Sequence, residues 1–381
     1  MKSWIIPEYK LDPDIRSILD SRINGNICIS GFIKTGKTTT MLCIMKRILN
    51  EKPNSRILFW AFSNTLVKMF KKVFREFGIQ ANVETFWKFK NNQSHYDYII
   101  CDDVHLMGPS LLNEVKDKAN IVIVSINPYL TFFDETSLTK ENPVTLDQVK
   151  EILVPKVFEL HHLHFNPADS IIEFSKALLN GDLGIRLPIR NITRTQQKVQ
   201  ICEAQSKEEE YKFVFNNTQK LLPLGYTTAI LFPTNRLILS FVQYIIKMSG
   251  KEPWVEKQDR WERIDFSDLN KYLSSIGLNY QCLGSGFGDL ESIDTKINIM
   301  TYYGALGFQF DYVYMPNLNS DLFISYNESI SRSIFVYALS RSRMNHYLVY
   351  SGLMHDYLQR IKAYYRFIQD DNVSETDWFI I

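Results

Sequence analysis

The chain has 381 residues, a formal net charge of +1 and 45% hydrophobic residues. A chain of this length is too long to fold around one typical hydrophobic core, so two domains of somewhat under about 200 residues each are expected. The nearly neutral charge excludes a global basic field, and a nucleic-acid site would therefore be a local groove.

Cysteine use and hydropathy favour a soluble, cytoplasmic protein without a membrane partner. No N-terminal signal is found, and no apolar run approaches the length of a membrane span. The cysteines lack the spacing of metal sites or disulfides, as is typical of a reducing compartment. They are Cys28, Cys43, Cys101, Cys202 and Cys282.

The first predicted elements lead into a phosphate-binding loop. A helix is predicted over 11–19, where Asp12 precedes Pro13 at a first helical position. A buried strand over 27–30 then leads into the pattern G-x-x-x-x-G-K-[ST], which starts at Gly31. Apolar residues at helical spacing follow the pattern. Strand, loop and helix are in the order of a P-loop, so ATP binding is predicted. An ordinary glycine-containing turn is the alternative.

Each P-loop residue type has a chemical reason. The glycines let backbone N–H groups approach the phosphates, Lys37 supplies positive charge, and the Thr38 hydroxyl can bind Mg²⁺. The following helix directs its N-terminus towards the phosphates. The predicted nucleotide-binding residues of the loop are Gly31, Thr35, Gly36, Lys37, Thr38 and Thr39.

A second strand and an amphipathic helix are predicted over 56–62 and 66–77. The lysines of this helix are interpreted as a solvated basic face. The next apolar strand, 96–103, ends in Asp102 and Asp103. In a P-loop ATPase the first acid holds Mg²⁺ and the second orients the attacking water, so these roles are predicted here. A strand that ends in a polar turn is the alternative.

The remaining pattern predicts an α/β fold with parallel sheets. A strand over 120–126 is followed by a looser stretch, 127–157, and a helix over 167–179, interpreted as linker and crossover. Strands over 199–204 and 228–232 alternate with helices over 207–222 and 236–248. The predicted domains are 1–160 and 161–381. The glycine-rich stretch 283–289 is expected to be an exposed turn.

This order of motifs resembles that of superfamily 1 helicases of the UvrD/Rep type. Residues 56–69 are similar to motif Ia, 83–89 to the next short motif and 229–236 to the family strand ILFRTN. Residues 299–313 resemble motif V, and 336–343 resemble motif VI. The resemblance implies two RecA-like P-loop NTPase domains with an ATP site in the cleft between them, and ATP and Mg²⁺ as cofactors.

The resemblance also implies roles for individual residues. Arg341 matches the motif VI arginine that reaches the γ-phosphate, which makes it catalytic together with Lys37 and Asp103. Gln309 matches a nucleotide-binding position of motif V. The residues implied to face single-stranded nucleic acid are Phe62, Ser63, Asn64, Thr85, Thr301 and Tyr303. The aromatic candidates for base stacking, with core packing as the alternative, are Phe62, Phe86, Trp87, Tyr302 and Tyr303.

Several departures from the family pattern fall on chemistry, and they predict slow hydrolysis. Asp103 replaces a glutamate, and His105 replaces the glutamine that couples it to DNA. The other departures are Ile15 for glutamine, 125–129 for GDxxQ, 164–167 for the asparagine-tyrosine-arginine-serine motif, Tyr303 for histidine, Leu306 for lysine and Gln309 for glutamate.

Both accessory domains of the family are predicted to be absent. Only six residues separate Phe89 from the strand that starts at Tyr96. The stretch 250–296 is too short for the second accessory domain.

Two functions remain open from the sequence. The first is a minimal helicase-like motor that acts on single-stranded nucleic acid, with DNA favoured, inside a complex. The second is an ATP-dependent switch, with weak or no hydrolysis, that controls a protein partner such as a nuclease. The P-loop, Asp102 and Arg341 favour the first, and the lost glutamines and accessory domains favour the second.

Overall fold

The computed structural model describes residues 11–90, 94–136, 139–163, 168–179, 183–184, 200–284, 286–362 and 366–369. The chain divides into two compact units. The first comprises Met1–His164 and Gly181–Ile192, and the second comprises Phe165–Asn180 and Thr193–Ile381. They are called the first and second domains below. The predicted boundary at residue 160 stays a prediction.

The first domain alternates strands and helices. Its strands are β1 (Ile27–Gly31), β2 (Ile57–Trp60), β3 (Asn82–Glu84), β4 (Tyr96–Cys101), β5 (Ala119–Ile126) and β6 (Lys156–Leu160). Its helices are α1 (Pro13–Asp20), α2 (Lys37–Glu51), α3 (Asn64–Glu76), α4 (Phe86–Lys90), α5 (Pro109–Asp117) and α6 (Leu146–Leu153). The described strands form one sheet in the order β3-β2-β4-β5-β1-β6, and each pair is parallel.

The central strands of this sheet are buried on both faces, as helix-covered parallel sheets require. All five residues of β1 and all four of β2 are buried. Apolar side chains of β2, β4 and β5 form a core with α5 and α6, which includes Trp60, Ile99 and Val124. The continuous apolar runs that predicted these strands therefore reflect double-sided burial.

The prediction of a loose stretch over 127–157 is wrong. Thr145 and Gln148 form a capping box that starts α6, and β6 follows and pairs with β1. The T-x-x-Q spacing is a recognisable start signal for a helix. Strand β6 lacks a continuous apolar pattern because it lies at the edge of the sheet, where only Leu160 is fully buried.

The second domain contains a second parallel sheet. Its strands are β7 (Gln200–Ala204), β8 (Thr228–Phe232), β9 (Tyr280–Cys282), β10 (Ile297–Thr301), β11 (Phe310–Met315), β12 (Ser342–Ser351) and β13 (Arg366–Gln369). Its helices are α7 (Ala168–Leu179), α8 (Lys207–Leu221), α9 (Asn235–Met248), α10 (Phe266–Ser275), α11 (Glu328–Leu339) and α12 (Asp356–Ile361). Over the described residues the strand order is β13-β7-β12-β11-β8-β10-β9. The prediction of two parallel α/β domains is confirmed.

Much of the stretch 250–296 belongs to this second core. Strand β9 pairs with β10, and α10 contributes Phe266, Leu269 and Leu273 to the core cluster that contains β8. The glycine-rich turn after β9 is not simply exposed as predicted. Leu283 is buried, and the Phe287 ring stacks on Phe266 with centroids 4.8 Å apart.

The state of the cysteines and the character of the helices bear on redox chemistry and on membrane association. All five cysteines are free, and all but the half-buried Cys43 are buried. Across the part of the chain that the structure describes, no helix combines the length and the apolar character that crossing a membrane requires.

We expect Thr145→Ala to lower the free energy of unfolding by about 1 kcal/mol, because it removes the hydroxyl that accepts from the Gln148 backbone N–H. The urea midpoint measures this change. Glu151→Ala, an exposed substitution on the same helix, is the matched control and should leave the midpoint nearly unchanged. Equal shifts in the two variants would contradict the role of the capping box.

Candidate nucleotide-binding site

The candidate site lies at the carboxyl edge of the first sheet. Strands β1 and β4 both pair with β5, and all three run in parallel. The residues that follow them therefore meet at one edge, as ligand-binding residues do in open α/β sheets. These are the P-loop after β1, Asp102 and Asp103 after β4, and the end of β5 around Ser125.

The backbone of the P-loop requires its two glycines. Gly36 adopts a φ of 91°, a left-handed conformation that favours glycine, immediately before α2 begins at Lys37. A Cβ on Gly31 would lie 2.6 Å from Thr35 Oγ1 and 2.9 Å from the Leu160 carbonyl oxygen. The loop thus passes too close to β6 for any side chain at residue 31.

Lys37 lies at the first position of α2, and its side chain turns back over the loop. Its ammonium donates to the carbonyl oxygens of Gly31 (3.0 Å) and Phe32 (2.9 Å). The residue is only 7% exposed. Positive charge is therefore held within the loop whose N–H groups were predicted to contact phosphates. Thr35 donates to Phe32 O at 2.8 Å, and Thr39 is buried in the first turn of α2.

Asp102 is the electrostatic centre of the edge. Its Oδ2 accepts from Thr38 Oγ1 and its Oδ1 from Ser125 Oγ, both at 2.6 Å. Burial raises the pKa of the Asp102 carboxyl to about 6, and the neighbouring Asp103 charge adds to that rise. The two hydroxyls and Lys37 oppose it, because they favour the ionised carboxylate.

The pair formed by Thr38 and Asp102 fits a magnesium ion. Hydroxyl and carboxylate oxygens are the hard ligands that Mg²⁺ prefers, and the ion usually keeps several waters besides one or two carboxylates. The structure brings these two predicted ligands into direct contact at the end of the P-loop. Among the described residues, no group of three or more His, Cys, Asp or Glu side chains forms a separate metal site.

Asp103 is placed differently from its neighbour. Its backbone is left-handed (φ 54°, ψ 53°), a conformation that aspartate tolerates better than most residues, and a short 3₁₀ turn follows at Val104–Leu106. The backbone N–H donates to Ser125 Oγ at 2.8 Å. The side chain remains 30% exposed, so it can contact water.

His105 is a buried and neutral neighbour of Asp103. Burial lowers the pKa of its imidazole to about 3. Its Nδ1 accepts from the Asn127 backbone N–H at 3.3 Å, which assigns the proton to Nε2, and lies 3.9 Å from Asp103 Oδ1. The ring packs on Phe132 at 5.6 Å. His105 Nδ1 therefore binds the segment after β5, and the ring lies beside the Asp103 carboxylate.

Ser125 is the functional residue that sequence reasoning missed. The sequence marks it only as part of the departure at 125–129. In the structure it is fully buried, donates a hydrogen bond to Asp102 and accepts one from the backbone N–H of Asp103. A polar residue near the end of an otherwise apolar strand was the available signal.

The predicted nucleic-acid residues of the first domain lie at the same edge. Phe62, Ser63 and Asn64 follow β2, and Thr85 follows β3, which pairs with β2 up to Trp60 and Glu84. Ser63 caps α3 by accepting from Leu66 N at 3.2 Å, and the Phe62 ring stacks on Phe133 at 5.9 Å. Asn64 is exposed. Their binding role stays a prediction.

In the second domain the predicted residues divide between two edges of the sheet. Thr301 ends β10 and Tyr303 follows it, at the carboxyl edge. Gln309 and Arg341 precede β11 and β12, at the amino edge, where Phe310 N donates to Arg341 O at 3.0 Å. The structure does not bring Thr301 and Tyr303 to the same edge as Gln309 and Arg341.

The Arg341 guanidinium is buried within its own domain. It donates to Phe308 O, to Tyr337 O and to the Tyr337 hydroxyl, each at 3.0 Å, and stacks over the Tyr337 ring at 3.7 Å. The residue is 5% exposed. Its predicted contact with the γ-phosphate stays a prediction and would require these hydrogen bonds to be exchanged.

For Tyr302 the core-packing alternative holds. Tyr302 is 1% exposed, and its ring packs against Phe335 in the core, so no base can reach it. The side chains of Phe86 and Trp87, and the motif candidate at 164–167, lie outside the described residues.

Part of the chain matches a protein-family model. Residues 15–179 match the model described as the res subunit of type III restriction enzymes. This range contains the P-loop, Asp102, Asp103 and Ser125. No curated protein matches the chain.

Solved helicase structures are similar to this chain at low identity. One is the C-terminal domain of a possible DNA helicase from Lactobacillus plantarum WCFS1, with 16% identity, 53% of this chain and 98% of that chain covered, and a TM-score of 0.34. Another is the arterivirus nonstructural protein 10 helicase, with 10% identity and a TM-score of 0.44. This match covers 90% of this chain and 62% of that chain. The same helicase in complex with DNA has 10% identity and a TM-score of 0.44, and the match covers 88% of this chain and 63% of that chain. The chain thus spans less than two thirds of the arterivirus chains.

We expect Ser125→Ala to raise the Mg²⁺ concentration that half-saturates nucleotide binding by about tenfold, because an outer hydrogen bond to the ligating carboxylate is lost. Losing this donor raises the pKa of Asp102 further, so the defect should grow as the pH falls towards 6. Titration of a fluorescent ATP analogue with Mg²⁺ measures both effects. Ser110→Ala is the control on an exposed serine of the same domain, and indistinguishable Mg²⁺ curves for the two variants would rule out the role of Ser125.

Proposed function

We propose that the protein is an ATP-binding and ATP-hydrolysing motor of helicase type that acts on single-stranded nucleic acid, with DNA as the preferred substrate, and works in a complex with a protein partner. The observation that carries this proposal is the direct contact of Thr38 with Asp102 at 2.6 Å, beside the P-loop ammonium of Lys37. The match of residues 15–179 supports a helicase-like ATPase motor. The UvrD/Rep subtype is part of the proposal.

The residues of the first domain divide the chemistry between them. Backbone N–H groups of the loop and the Lys37 ammonium bind the phosphates of ATP. Thr38 and Asp102 would hold Mg²⁺, which neutralises developing charge on the phosphates. The Asp103 carboxylate, exposed enough to contact water, orients the nucleophile. Its side chain is one methylene shorter than glutamate, which makes turnover slow.

The nucleic-acid part of the proposal depends on shared placement. Phe62, Ser63, Asn64 and Thr85 follow strands that end at the same edge as the P-loop. His105, whose ring lies beside Asp103, accepts from Asn127 N in the segment after β5, which also carries Phe133 against Phe62. A strand bound at Phe62 would therefore contact the segment whose Asn127 backbone binds His105, the neighbour of the water-orienting acid. ATP turnover with and without single-stranded DNA tests this substrate directly.

A second candidate function is favoured by one observation. The Arg341 guanidinium is buried and donates several hydrogen bonds inside its own domain, and supplying such an arginine to a phosphoryl transition state is worth about 10³ or more in rate. A chain that keeps this side chain buried would bind ATP and hydrolyse it weakly, as a switch that controls a partner such as a nuclease. ATPase activity that depends on the partner and not on nucleic acid would favour this function.

We expect Lys37→Ala to abolish ATP turnover and to weaken ATP binding, because it removes the positive charge from the loop. The thermal unfolding midpoint should change little, since the hydrogen bonds of the lysine to Gly31 and Phe32 lie within the loop itself. A variant that hydrolyses ATP at the wild-type rate would show that the P-loop assignment is wrong.

The two acids should behave differently. Asp103→Asn is expected to abolish turnover and to keep Mg²⁺-dependent nucleotide binding, whereas Asp102→Asn should weaken that binding as well, because Asp102 contacts Thr38. Calorimetric titration with an ATP analogue and a phosphate-release assay separate the two effects. Equal loss of binding in both variants would refute the division of roles.

The isolated protein should not unwind a duplex. Strand β4 starts shortly after α4, and α10 and β9 of the stretch 250–296 are part of the second core, so the described residues provide no wedge domain at either position. A tailed duplex should remain paired when protein and ATP are added, even if the tail stimulates ATPase activity. Efficient strand separation, measured with a fluorophore and quencher pair, would contradict this expectation.

A further inference from the structure

We infer that the outer face of α3, extended by α4, binds the sugar–phosphate backbone of the single strand as it leaves the edge formed by Phe62, Ser63, Asn64 and Thr85. The residues of this surface, called the α3 face, are Lys68, Lys71, Lys72, Arg75 and Lys88. The inference deepens the proposed function and rests on it. It also revises the interpretation of these lysines as a merely solvated face.

Helix α3 separates its two sides completely. Leu66, Met69, Phe70 and Val73 are buried in the first domain, and Phe70 packs on Phe59 of β2 at 4.5 Å. The basic side chains recur at spacings of three and four, which places them on one face of a helix. Lys68 and Arg75 are about 10 Å apart along the helix axis. The buried side anchors the helix, and the basic side is presented as a stripe.

The positive charge is local. Residues 64–90 carry six lysines and arginines and two acids, a net charge of +4, although the whole chain carries only +1. One of the two acids, Glu84, is 6% exposed, and Lys88 lies above it with Nζ 3.4 Å from its carboxylate while remaining 70% exposed. The other acid, Glu76, is exposed near the end of α3. The exposed charges of this stretch are therefore mostly basic, which complements a polyanion.

The α3 face is continuous with the predicted nucleic-acid edge. Helix α3 starts at Asn64, immediately after Phe62 and Ser63, and Lys68 follows within the second turn. Helix α4 starts immediately after Thr85. A strand held at this edge has only to continue along α3 to place its phosphates beside the stripe.

The chemistry of the face favours nucleic acid over a protein partner. The described residues of α3 include no large exposed hydrophobic side chain, whereas protein interfaces usually have an apolar centre. Lysine ammonium groups bind phosphates as point charges and read no sequence. Binding should therefore be independent of base sequence and strongly dependent on salt.

The double substitution Lys68→Gln/Lys71→Gln tests this inference in the full-length protein. Affinity for a fluorescent oligothymidylate is measured across a salt series. Losing two phosphate contacts should reduce the slope of log K against log salt by about 1.4, and affinity at low salt should fall by about tenfold or more. An oligoadenylate of the same length should show the same change in slope.

Two matched variants complete the design. Lys46→Gln/Lys116→Gln removes the same charge from exposed positions on α2 and α5, and should keep the wild-type slope. Lys68→Arg/Lys71→Arg keeps the charge and should keep the slope as well. Thermal unfolding midpoints confirm that each variant is folded, since all four lysines are exposed.

The outcomes separate the two proposals. If the wild type binds the oligonucleotide and Lys68→Gln/Lys71→Gln keeps its slope, the α3 face is not a nucleic-acid site, and the proposed function stands. An equal reduction of the salt slope in Lys68→Gln/Lys71→Gln and in Lys46→Gln/Lys116→Gln would also overturn the inference, because the effect would then come from the total charge of the protein. If the wild type binds no single strand even at low salt, the proposed substrate is wrong and the inference falls with it.

Discussion

The carboxylate of Asp102 accepts hydrogen bonds from Thr38 and Ser125, and the arrangement of the first-domain site depends on this pair of contacts. A buried carboxylate is costly unless donors compensate it, and here the donors come from the P-loop helix and from β5. The contact therefore fixes three elements relative to each other. Because Ser125 also accepts from the Asp103 backbone, the second acid is oriented by the same group.

The P-loop and the acids could be predicted because their chemistry fixes their spacing. Gly31, Gly36 and Lys37 lie within one short loop, so a local pattern contains the whole signal. The contact between Ser125 and Asp102 depends instead on the strand order, which places β5 between β1 and β4. Local motifs carry no information on that order, and a serine matches none of them.

The difference between local patterns and contacts set by the fold also explains the errors in the predicted fold. The central strands are continuous apolar runs and were predicted, whereas β6 is half exposed at the sheet edge and has no such run. In the second domain, Arg341 was found by its motif, but its burial follows from Tyr337, one helical turn before it. Tyr302 resembled an accessible aromatic side chain because the sequence does not show that its ring faces Phe335.

The close approach of Gly31 to the Leu160 carbonyl has a consequence for biosynthesis. The two residues are paired in the sheet although about 130 positions separate them along the chain, and such distant contacts form late in folding. The phosphate loop is encoded early, yet the strand that flanks it emerges from the ribosome only after most of the first domain. A nascent chain that stops before β6 would carry every residue of the motif and still lack one wall of the loop. Completion of the loop thus requires that the chain be synthesised at least as far as Leu160, the last residue of β6.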